Sequence, residues 1–307
     1  MISILMAAYN GERFIAEQID SILAQTVQDF VLYVQDDCST DKTFEIARSY
    51  AEKHPGRIVV KRSRVNSGNA KYNFMEMMVR HRDEYLMLCD QDDVWLPDKI
   101  EITLKKMREM EAVYGRDAPL LLHTDLQVVD ENLRLIHLSV KEMIGTAEIF
   151  SLRQMVLLNN VTGCTTLYNR ALAEYLHIVP NFFVMHDWWL ALVAITFGKM
   201  SYVPVATSLY RQHGSNSIGA RSVHSFRYKL YKISHMREIR AALFDSYRQA
   251  GEFQRIYDRV LDDGQREFLR TYASLPELGK LGRLFVMRQE KLFRSGAMRT
   301  LSQIFLG

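Results

Sequence analysis

The sequence predicts an α/β fold with a mostly parallel central sheet, followed by a helical C-terminal region. Short apolar runs alternate with segments whose apolar residues recur every three or four positions, which is the pattern of βαβ units. Polar residues follow three of these apolar runs directly. In a parallel sheet the strand ends that carry them share one edge, and ligands bind at that edge.

The first four predicted strands are separated by three helices. The strands are Ile2 to Ala8, Phe30 to Val34, Arg57 to Lys61 and Tyr85 to Cys89. The helices hold apolar residues in the segments from Phe14 to Leu23, Phe44 to Ala51 and Phe74 to Val79. Strands and helices in this order predict parallel pairing of the strands.

Beyond Cys89 the chain continues with further helices and strands. A helix from about Asp98 to Met110 precedes a strand from Leu120 to Val129. A loop of small residues from Val161 to Thr166 leads into another strand. An apolar helix through Phe197 then precedes a strand from Met200 to Val205. The sequence contains no internal repeat.

Three carboxylates fall within the four residues Asp90-Gln91-Asp92-Asp93, directly after an apolar run. Carboxylates so close together repel one another and need a compensating partner. Mg²⁺ or Mn²⁺ suits carboxylate ligands and leaves coordination sites for phosphate and water. A solvated acidic turn is the alternative, because Pro97 and Asp98 also open a helix well. This stretch alone fits both interpretations equally.

Composition limits the class of protein. Cys38, Cys89 and Cys164 are far apart and show no metal-binding spacing, so a reducing, cytoplasmic compartment is expected. The N-terminus lacks the basic region of a cleaved leader, and the apolar stretch from Trp188 to Phe197 is too short to span a bilayer. No G-x-G-x-x-G follows the first strand and no P-loop motif occurs, which disfavours both kinds of nucleotide fold.

Charge is distributed unevenly along the chain. From Arg221 to the end, 17 Lys and Arg stand against 9 Asp and Glu, whereas the first 220 residues carry 22 against 27. We therefore expect an α/β domain over residues 1–220 and a helical, basic region over 221–307. That region fits a hairpin packed on the first domain, a contact between copies in a homo-oligomer, or a helix on an anionic membrane surface. In the last predicted helix of that region, one apolar face would hold Ala297, Leu301, Ile304 and Phe305. No nucleic-acid-binding motif accompanies the charge.

Six short motifs occur in order along the chain. They are Ala7-Ala8-Tyr9-Asn10, Asp36-Asp37-x-Ser39-x-Asp41-x-Thr43, Asn66-x-Gly68, Asp90/Asp92, Gly163-Cys164 and His186-Asp187-Trp188. In order and spacing they resemble the GT-A nucleotide-sugar glycosyltransferases of glycosyltransferase family 2, over residues 2 to about 217. The segments from Cys89 to Trp95 and from Tyr210 to His213 resemble the bacterial rhamnosyltransferases and polysaccharide glycosyltransferases of that family. The resemblance implies a GT-A fold, a divalent metal and inverting transfer from a nucleoside diphosphate sugar.

The resemblance also assigns a donor site. Its predicted donor contacts are Ala8, Tyr9, Asn10, Asp36, Asp37, Asn66, Gly68, Asp90, Gln91 and Arg211. Asp92 would coordinate the metal at the diphosphate, and Asp90 would contact the ribose or the metal. His213 is either a third metal ligand from a loop or an exposed loop histidine. Helix capping is the alternative role for the polar residues after the second strand.

An inverting transfer needs one base that accepts the proton of the acceptor hydroxyl. Asp187 is the candidate, because the apolar Trp188-Trp189 beside it would make a carboxylate a stronger base. The alternative is an aspartate that caps the following helix. His186 is expected to orient the base or to contact the acceptor.

Contacts to the donor sugar and the acceptor are expected from Asp93, Trp95, Gly163, Cys164, His186 and Trp188. Core filling is the alternative role for at least one of the tryptophans. Cys164 has no activating partner in the sequence, and an inverting mechanism needs no covalent intermediate. We therefore expect Cys164 in the acceptor wall and not as a nucleophile.

The expected donor is dTDP-L-rhamnose, and the expected acceptor is a glycan or lipid-linked saccharide of a cell-surface polysaccharide. UDP-glucose and UDP-galactose are the close alternative donors. A nucleotidyltransferase would carry a glycine-rich basic loop after the first strand, which Tyr9 to Arg13 matches poorly. A non-catalytic sugar-binding protein of the same fold would not need Asp90, Asp92 and Asp187.

Overall fold

The computed structural model describes residues 1–145, 149, 151–213, 236–290 and 292. Contacts divide these residues into two compact units. The first unit holds Met1–Gly145, Val161–Val179 and 197–213, and the second holds the described parts of 149–160, Pro180–Thr196 and 236–292. The expected division at residue 220 stays a prediction.

A nine-stranded mixed sheet forms the centre of the first unit. Its strands are β1 (Ile2–Ala8), β2 (Phe30–Asp36), β3 (Ile58–Arg62), β4 (Tyr85–Asp90), β5 (Val94–Trp95), β6 (Leu120–Val129), β7 (Leu135–His137), β8 (Thr166–Asn169) and β9 (Lys199–Arg211). They lie in the order β3-β2-β1-β4-β8-β6-β9-β5, with β7 paired to β6. The first four strands and the β6–β9 pair are parallel, whereas β5, β7 and β8 are antiparallel to their neighbours. The predicted α/β fold is confirmed.

Helices cover the sheet of the first unit. They are α1 (Ile15–Leu23), α2 (Thr43–Lys53), α3 (Ala70–Arg80), α4 (Lys99–Tyr114), α5 (Val140–Ile144) and, farther along the chain, α7 (Arg170–Ala173). One core cluster takes alternate residues of β1 together with apolar residues of α1 and α4. The period of two in the strand and of three to four in the helices therefore fixes which face of each element is buried.

The strand register brings three polar strand ends to one edge of the sheet. Ala8 at the end of β1 pairs with Asp36 at the end of β2. Ala7 pairs on its other side with Asp90 at the end of β4. The residues that follow β1, β2 and β4 are therefore neighbours in space.

The second unit is helical in its described part. It contains α6 (Leu152–Met155), nearly all of α8 (His186–Phe197), α9 (Met236–Tyr257), α10 (Asp263–Ala273) and α11 (Lys280–Gln289). Trp189 of α8 is buried against the rings of Phe183, Phe253 and Tyr257. This confirms the predicted helical character of the C-terminal region from residue 236 to residue 289. The predicted face with Ala297, Leu301, Ile304 and Phe305 lies outside the described residues.

Within the described ranges, each helix is either too short or too polar to cross a membrane.

Candidate active site

The acidic loop follows β4 at the shared strand edge. Asp90 and Asp92 are half-buried, and Asp93 is completely buried. The backbone N–H of Arg211 in β9 donates to Oδ1 of Asp93 at 3.2 Å. Burial together with the neighbouring charges of Asp90 and Asp92 raises the pKa of Asp93 well above its ordinary value. The loop thus holds three carboxyl groups. The most deeply buried one, that of Asp93, ionises less readily than an ordinary aspartate unless a positive charge lies beside it.

This carboxylate group fits a divalent cation. Ligand atoms of Asp90, Asp93 and Cys164 all lie within 4.8 Å of one another. The Cys164 thiol interacts with the Asp93 carboxyl group, but Oδ2 of Asp93 is buried and receives no hydrogen bond from an N–H or O–H group in the described part of the chain. Burial raises the pKa of the Cys164 thiol well above its ordinary value, so this sulfur is a poor ligand for a hard cation. The carboxylate oxygens of Asp90 and Asp93 are the members of this group that suit Mg²⁺ or Mn²⁺, and the metal role predicted for Asp92 stays a prediction.

Gln91 joins this loop to the turn after β1. Its Nε2 donates to the carbonyl oxygen of Tyr9 at 2.8 Å, and its Oε1 accepts from the Tyr9 N–H at 2.9 Å. The residue after the turn is Gly11, where an added Cβ would lie 2.2 Å from Oε1 of Gln91. Glycine at position 11 therefore leaves space for the carboxamide that holds Tyr9 in place.

A cleft of about 370 Å³ opens at this edge of the sheet. Its lining brings together eight of the predicted donor and metal residues: Ala8, Tyr9, Asp37, Asn66, Gly68, Asp90, Gln91 and Asp92. Asn69, Ala70, Asn73 and Phe74 line it as well and were not predicted. They come from the start of α3, where the sequence pattern indicated only a helix.

Asp37 organises the loop before α3. Its carboxylate accepts from the Ser67 hydroxyl at 2.7 Å and from the Ser67 N–H at 2.9 Å. Asn66 donates from Nδ2 to the Asp37 carbonyl at 2.6 Å and accepts from the Gly68 N–H at 2.7 Å. Gly68 has φ +78°, a conformation that glycine adopts without strain. The predicted pair Asn66 and Gly68 is thus part of one turn against Asp37.

Two other predicted donor residues make protein contacts outside the cleft lining. Asp36 is completely buried, accepts from the Ser39 N–H at 3.1 Å and lies 3.3 Å from Nε of Arg62. Asn10 accepts from the Thr40 N–H at 2.8 Å, which links the β1 turn to the start of α2. These contacts match the local structural role considered for the polar residues after β2, and a donor contact by either residue stays a prediction.

Arg211 and His213 lie on the other side of the acidic loop. Nε of Arg211 donates to the Asp92 carbonyl at 2.8 Å, Nη1 donates to the Glu131 carbonyl at 2.7 Å, and Nη2 pairs with Glu17. Nε2 of His213 lies 2.9 Å from Oδ2 of Asp92. The two side chains therefore fix the outer part of the acidic loop. The predicted diphosphate and metal roles remain predictions.

A buried lysine, Lys99, lies close to the acidic loop, and the sequence pattern did not indicate that it would be buried. Nζ of Lys99 donates to the Cys164 carbonyl at 2.9 Å and to the Ser208 hydroxyl at 2.8 Å, and it lies 4.7 Å from the centre of the Trp95 ring. Trp95 itself is buried in the core cluster that includes residues of β1, α1 and α4, as the core-filling alternative requires. Gly163 and Cys164 are buried in a short 3₁₀ turn before β8. Lys99 thus ties this turn to β9 beneath Asp93.

Asp187, the predicted base, lies in the first turn of α8 in the second unit. Its Oδ1 accepts from Nδ2 of Asn159 at 3.1 Å and from the Trp188 N–H at 2.6 Å. Nε1 of Trp188 donates to the Met155 carbonyl at 2.6 Å. Segment 149–160 therefore positions both Asp187 and Trp188, a contact that no local sequence signal indicated.

His186 is buried beside Asp187 in the chain, and burial lowers the pKa of its imidazole to about 3. Its ordinary value is 6.5, so the unfolded chain takes up the proton first as the pH falls. We expect the free energy of unfolding to decrease below pH 6.5 by up to about 1.4 kcal/mol per pH unit, until the folded-state pKa is reached. Above pH 6.5 this contribution is complete.

Urea unfolding at several pH values checks this expectation for the second unit. Two of the three tryptophans, Trp188 and Trp189, lie in α8, so tryptophan fluorescence reports chiefly on this unit. His186→Gln should reduce the slope between pH 6.5 and 4.5, whereas His177→Gln, at an exposed histidine, should keep the wild-type slope. Equal slopes for all three proteins would show that the His186 imidazole is not buried as a neutral group.

Comparison with known proteins agrees with the observed fold. The family model described as glycosyl transferase family 2 matches residues 3–176. The dTDP-rhamnosyl transferase RfbG of Shigella flexneri is 28% identical over 237 residues, which are 73% of this chain and 77% of that protein. The putative teichuronic acid biosynthesis glycosyltransferase TuaG of Bacillus subtilis is 28% identical over 63% of this chain and 72% of its own length.

Solved structures give the same fold. The structure of residues 1–349 of S. aureus TarS in complex with UDP-GlcNAc matches with a TM-score of 0.55 at 18% identity, over 99% of this chain and 91% of that one. The mannosyltransferase PcManGT from Pyrobaculum calidifontis, in complex with GDP-Man and Mn²⁺, matches with a TM-score of 0.51 at 15% identity, over 99% and 84%. Because the family model covers more than half of the chain, the protein is a member of glycosyltransferase family 2, a GT-A glycosyltransferase that uses a nucleotide-sugar donor.

Proposed function

We propose that this enzyme is a metal-dependent inverting glycosyltransferase that transfers L-rhamnose from dTDP-L-rhamnose in the synthesis of a cell-surface polysaccharide. The observation that carries the proposal is the cleft, in which Asp37, Asp90 and Asp92 converge with the Tyr9 turn. Carboxylates accept hydrogen bonds from a pyrimidine N–H and from ribose hydroxyls, and they hold a cation at a diphosphate. The cleft therefore suits a pyrimidine nucleoside diphosphate.

The similarity to RfbG supports rhamnose as the transferred sugar, since that relative is a dTDP-rhamnosyl transferase. The alternative donors are UDP-glucose and UDP-galactose. Thymine and uracil present the same ring N–H to Asp37, so the carboxylate alone does not distinguish these nucleotides. The TarS structure holds UDP-GlcNAc in the same fold, which keeps a uridine nucleotide as the second candidate.

The chemistry follows from the roles of the carboxylates. Asp187 would take the proton of the acceptor hydroxyl while that oxygen bonds to the sugar anomeric carbon and the carbon–diphosphate bond breaks. Asp90, Asp92 and Asp93 would hold Mg²⁺ or Mn²⁺, and the cation would supply positive charge to neutralise the leaving diphosphate. Because the enzyme supplies a base but no nucleophile, the acceptor oxygen displaces the diphosphate in a single step. The configuration at the anomeric carbon is therefore inverted.

The acceptor we propose is a glycan or a lipid-linked saccharide. TuaG, a relative linked by its name to teichuronic acid biosynthesis, supports an acceptor on the route to a cell-surface polymer. All three cysteines are free thiols, which fits the proposed cytoplasmic location.

A donor panel tests the proposal. dTDP-L-rhamnose, dTDP-glucose, UDP-glucose and UDP-galactose are each incubated with the enzyme in Mn²⁺, Mg²⁺ or EDTA, and the released nucleoside diphosphate is measured. We expect the highest kcat/KM for dTDP-L-rhamnose, and only with metal. Preference for a UDP-sugar would replace the donor assignment, and release by none of them would contradict the proposed activity on these donors.

Gln91 provides a second test of the same cleft. Gln91→Ala removes both hydrogen bonds to Tyr9, and we expect the donor KM to rise about tenfold with little change in kcat, because the binding turn loses its fixed position. Gly11→Ala should have a similar effect, since its Cβ would displace the Gln91 carboxamide. Steady-state kinetics of the single and double variants check this.

The double variant decides whether Gln91 and Gly11 act through one contact. In the Gln91→Ala background the clash at position 11 is absent, so Gly11→Ala should cost almost nothing further. Additive increases in KM for the two substitutions would contradict the proposed linkage between the acidic loop and the Tyr9 turn.

A further inference from the structure

One face of α11 presents two large apolar side chains to solvent. Leu281 is 84% exposed and Phe285 is 70% exposed. They are four residues apart, so they lie on the same side of the helix, and the exposed Arg288 follows them one turn later. We call Leu281, Phe285 and Arg288 the outer face of α11. Adjacent exposed apolar side chains of this size mark an interaction surface when they form a patch.

The opposite side of α11 is fixed within the second unit. Arg283 and Met287 are buried, and Nε of Arg283 donates to the Leu275 carbonyl at 3.0 Å. The N–H of the buried Leu292 donates to the Met287 carbonyl at 2.8 Å. Turning the outer face inward would break these contacts and would expose the groups that now lie inside. The outer face therefore stays on the surface of the unit.

Charge indicates what this face binds. Between Lys280 and the C-terminus the chain has six Lys and Arg and a single acidic residue, Glu290. Lys280 and Arg288 are exposed at the two ends of α11, on either side of Leu281 and Phe285. Apolar side chains flanked by basic ones match an anionic lipid surface. The apolar side chains can enter the boundary of the acyl chains, and the basic side chains can bind the lipid phosphates. In a two-fold contact with a second copy, these positive charges would face each other and repel.

We propose that the outer face of α11 docks on an anionic lipid bilayer, with Leu281 and Phe285 entering the interface and Lys280 and Arg288 meeting lipid phosphates. This inference goes beyond the proposed transfer reaction and does not depend on the donor or the metal. It provides a means of holding the enzyme at a membrane without a spanning helix. It also names the residues through which the basic C-terminal region would contact the membrane.

Vesicle binding tests the proposal with the full chain. Wild-type protein is sedimented with vesicles of phosphatidylcholine alone and with vesicles that contain phosphatidylglycerol, at low and high salt. We expect binding only to the anionic vesicles, weakened by salt. Leu281→Ser/Phe285→Ser should lower the partition coefficient by about tenfold or more. Lys280→Ser/Arg288→Ser should lower it by about fivefold per charge.

A matched control separates this face from general surface hydrophobicity. Val260→Ser removes another exposed aliphatic side chain of the second unit, 59% exposed, and should leave vesicle binding unchanged. Circular dichroism confirms that each variant is folded, and light scattering gives its oligomeric state. Absence of wild-type binding to anionic vesicles, or equal binding by Leu281→Ser/Phe285→Ser, would overturn the proposal. A double variant that changes only the oligomeric state would assign the face to a second copy instead.

Discussion

Asp92→Asn is expected to lower the rate of donor turnover by at least about 10³-fold and to make the residual rate insensitive to EDTA. Asp92 lines the cleft, and its Oδ2 lies 2.9 Å from Nε2 of His213. An amide in its place has the same shape but loses the negative charge that, in the proposed mechanism, would hold a cation at the diphosphate. Release of nucleoside diphosphate, measured across a Mn²⁺ titration, gives both quantities.

Asp98→Asn is the matched control, because Asp98 is an exposed aspartate nearby in the chain whose side chain makes no cap hydrogen bond. It should keep wild-type kcat and wild-type metal dependence. If Asp92→Asn kept more than about a tenth of the wild-type rate with an unchanged metal requirement, the cation would have to be held without Asp92.

Asp187→Asn is expected to lower kcat for transfer to the acceptor by about 10³-fold, while the affinity for the donor changes little. The carboxylate accepts hydrogen bonds from Asn159 and from the Trp188 N–H, and an amide would keep the shape of the first turn of α8 without a basic oxygen. Single-turnover transfer, with donor affinity measured separately by calorimetry, distinguishes a lost base from lost binding.

Asn159→Ala is the control that tests the positioning of the Asp187 carboxylate. It removes a neighbour that orients Asp187 but leaves the carboxylate, so a loss of only about tenfold is expected, with the pH dependence of the base retained. Equal losses for Asn159→Ala and Asp187→Asn would indicate that α8 has a structural role and that the base lies elsewhere.

The sequence predicted the sheet edge well because the signals there are local. β1 and β4 are apolar runs that end abruptly in polar residues, and their observed bounds, Ile2–Ala8 and Tyr85–Asp90, fall within one residue of those expected. The parallel register then places Ala8 beside Asp36, and Ala7 beside Asp90. Strand period and strand ends were therefore sufficient to predict that the residues after β1, β2 and β4 lie close together, but not that the start of α3 also lines the cleft.

Residues held by distant parts of the chain could not be predicted in this way. Lys99 looks like an exposed residue in the first turn of a helix. Its burial is possible because Nζ donates to the hydroxyls of Ser208 and Thr207 and to the carbonyl of Cys164. Gln91 was predicted as a donor contact, and nothing in the local sequence indicated that its carboxamide occupies the space left by Gly11.

The second unit shows the same limit on a larger scale. Residues 149–160 belong with α9, α10 and α11 through contacts such as the hydrogen bond from the Tyr272 hydroxyl to the Val156 carbonyl. The two partners are far apart in the chain, so neither charge nor periodicity indicates that they meet. The division at residue 220, which was predicted from the charge distribution, therefore assigned residues 149–160 to the domain that contains the sheet.

The most direct measurement of the central idea, a metal-assisted nucleotide-sugar site in the cleft, is calorimetric titration of dTDP-L-rhamnose into the wild-type enzyme. We expect the affinity in Mn²⁺ to exceed that in EDTA by at least about tenfold, since in the proposed site the cation would link the diphosphate to the acidic loop. In Asp92→Asn the two affinities should be nearly equal. Wild-type binding that is just as tight in EDTA would contradict the metal role of Asp90 to Asp93, and absence of binding in Mn²⁺ would contradict the donor.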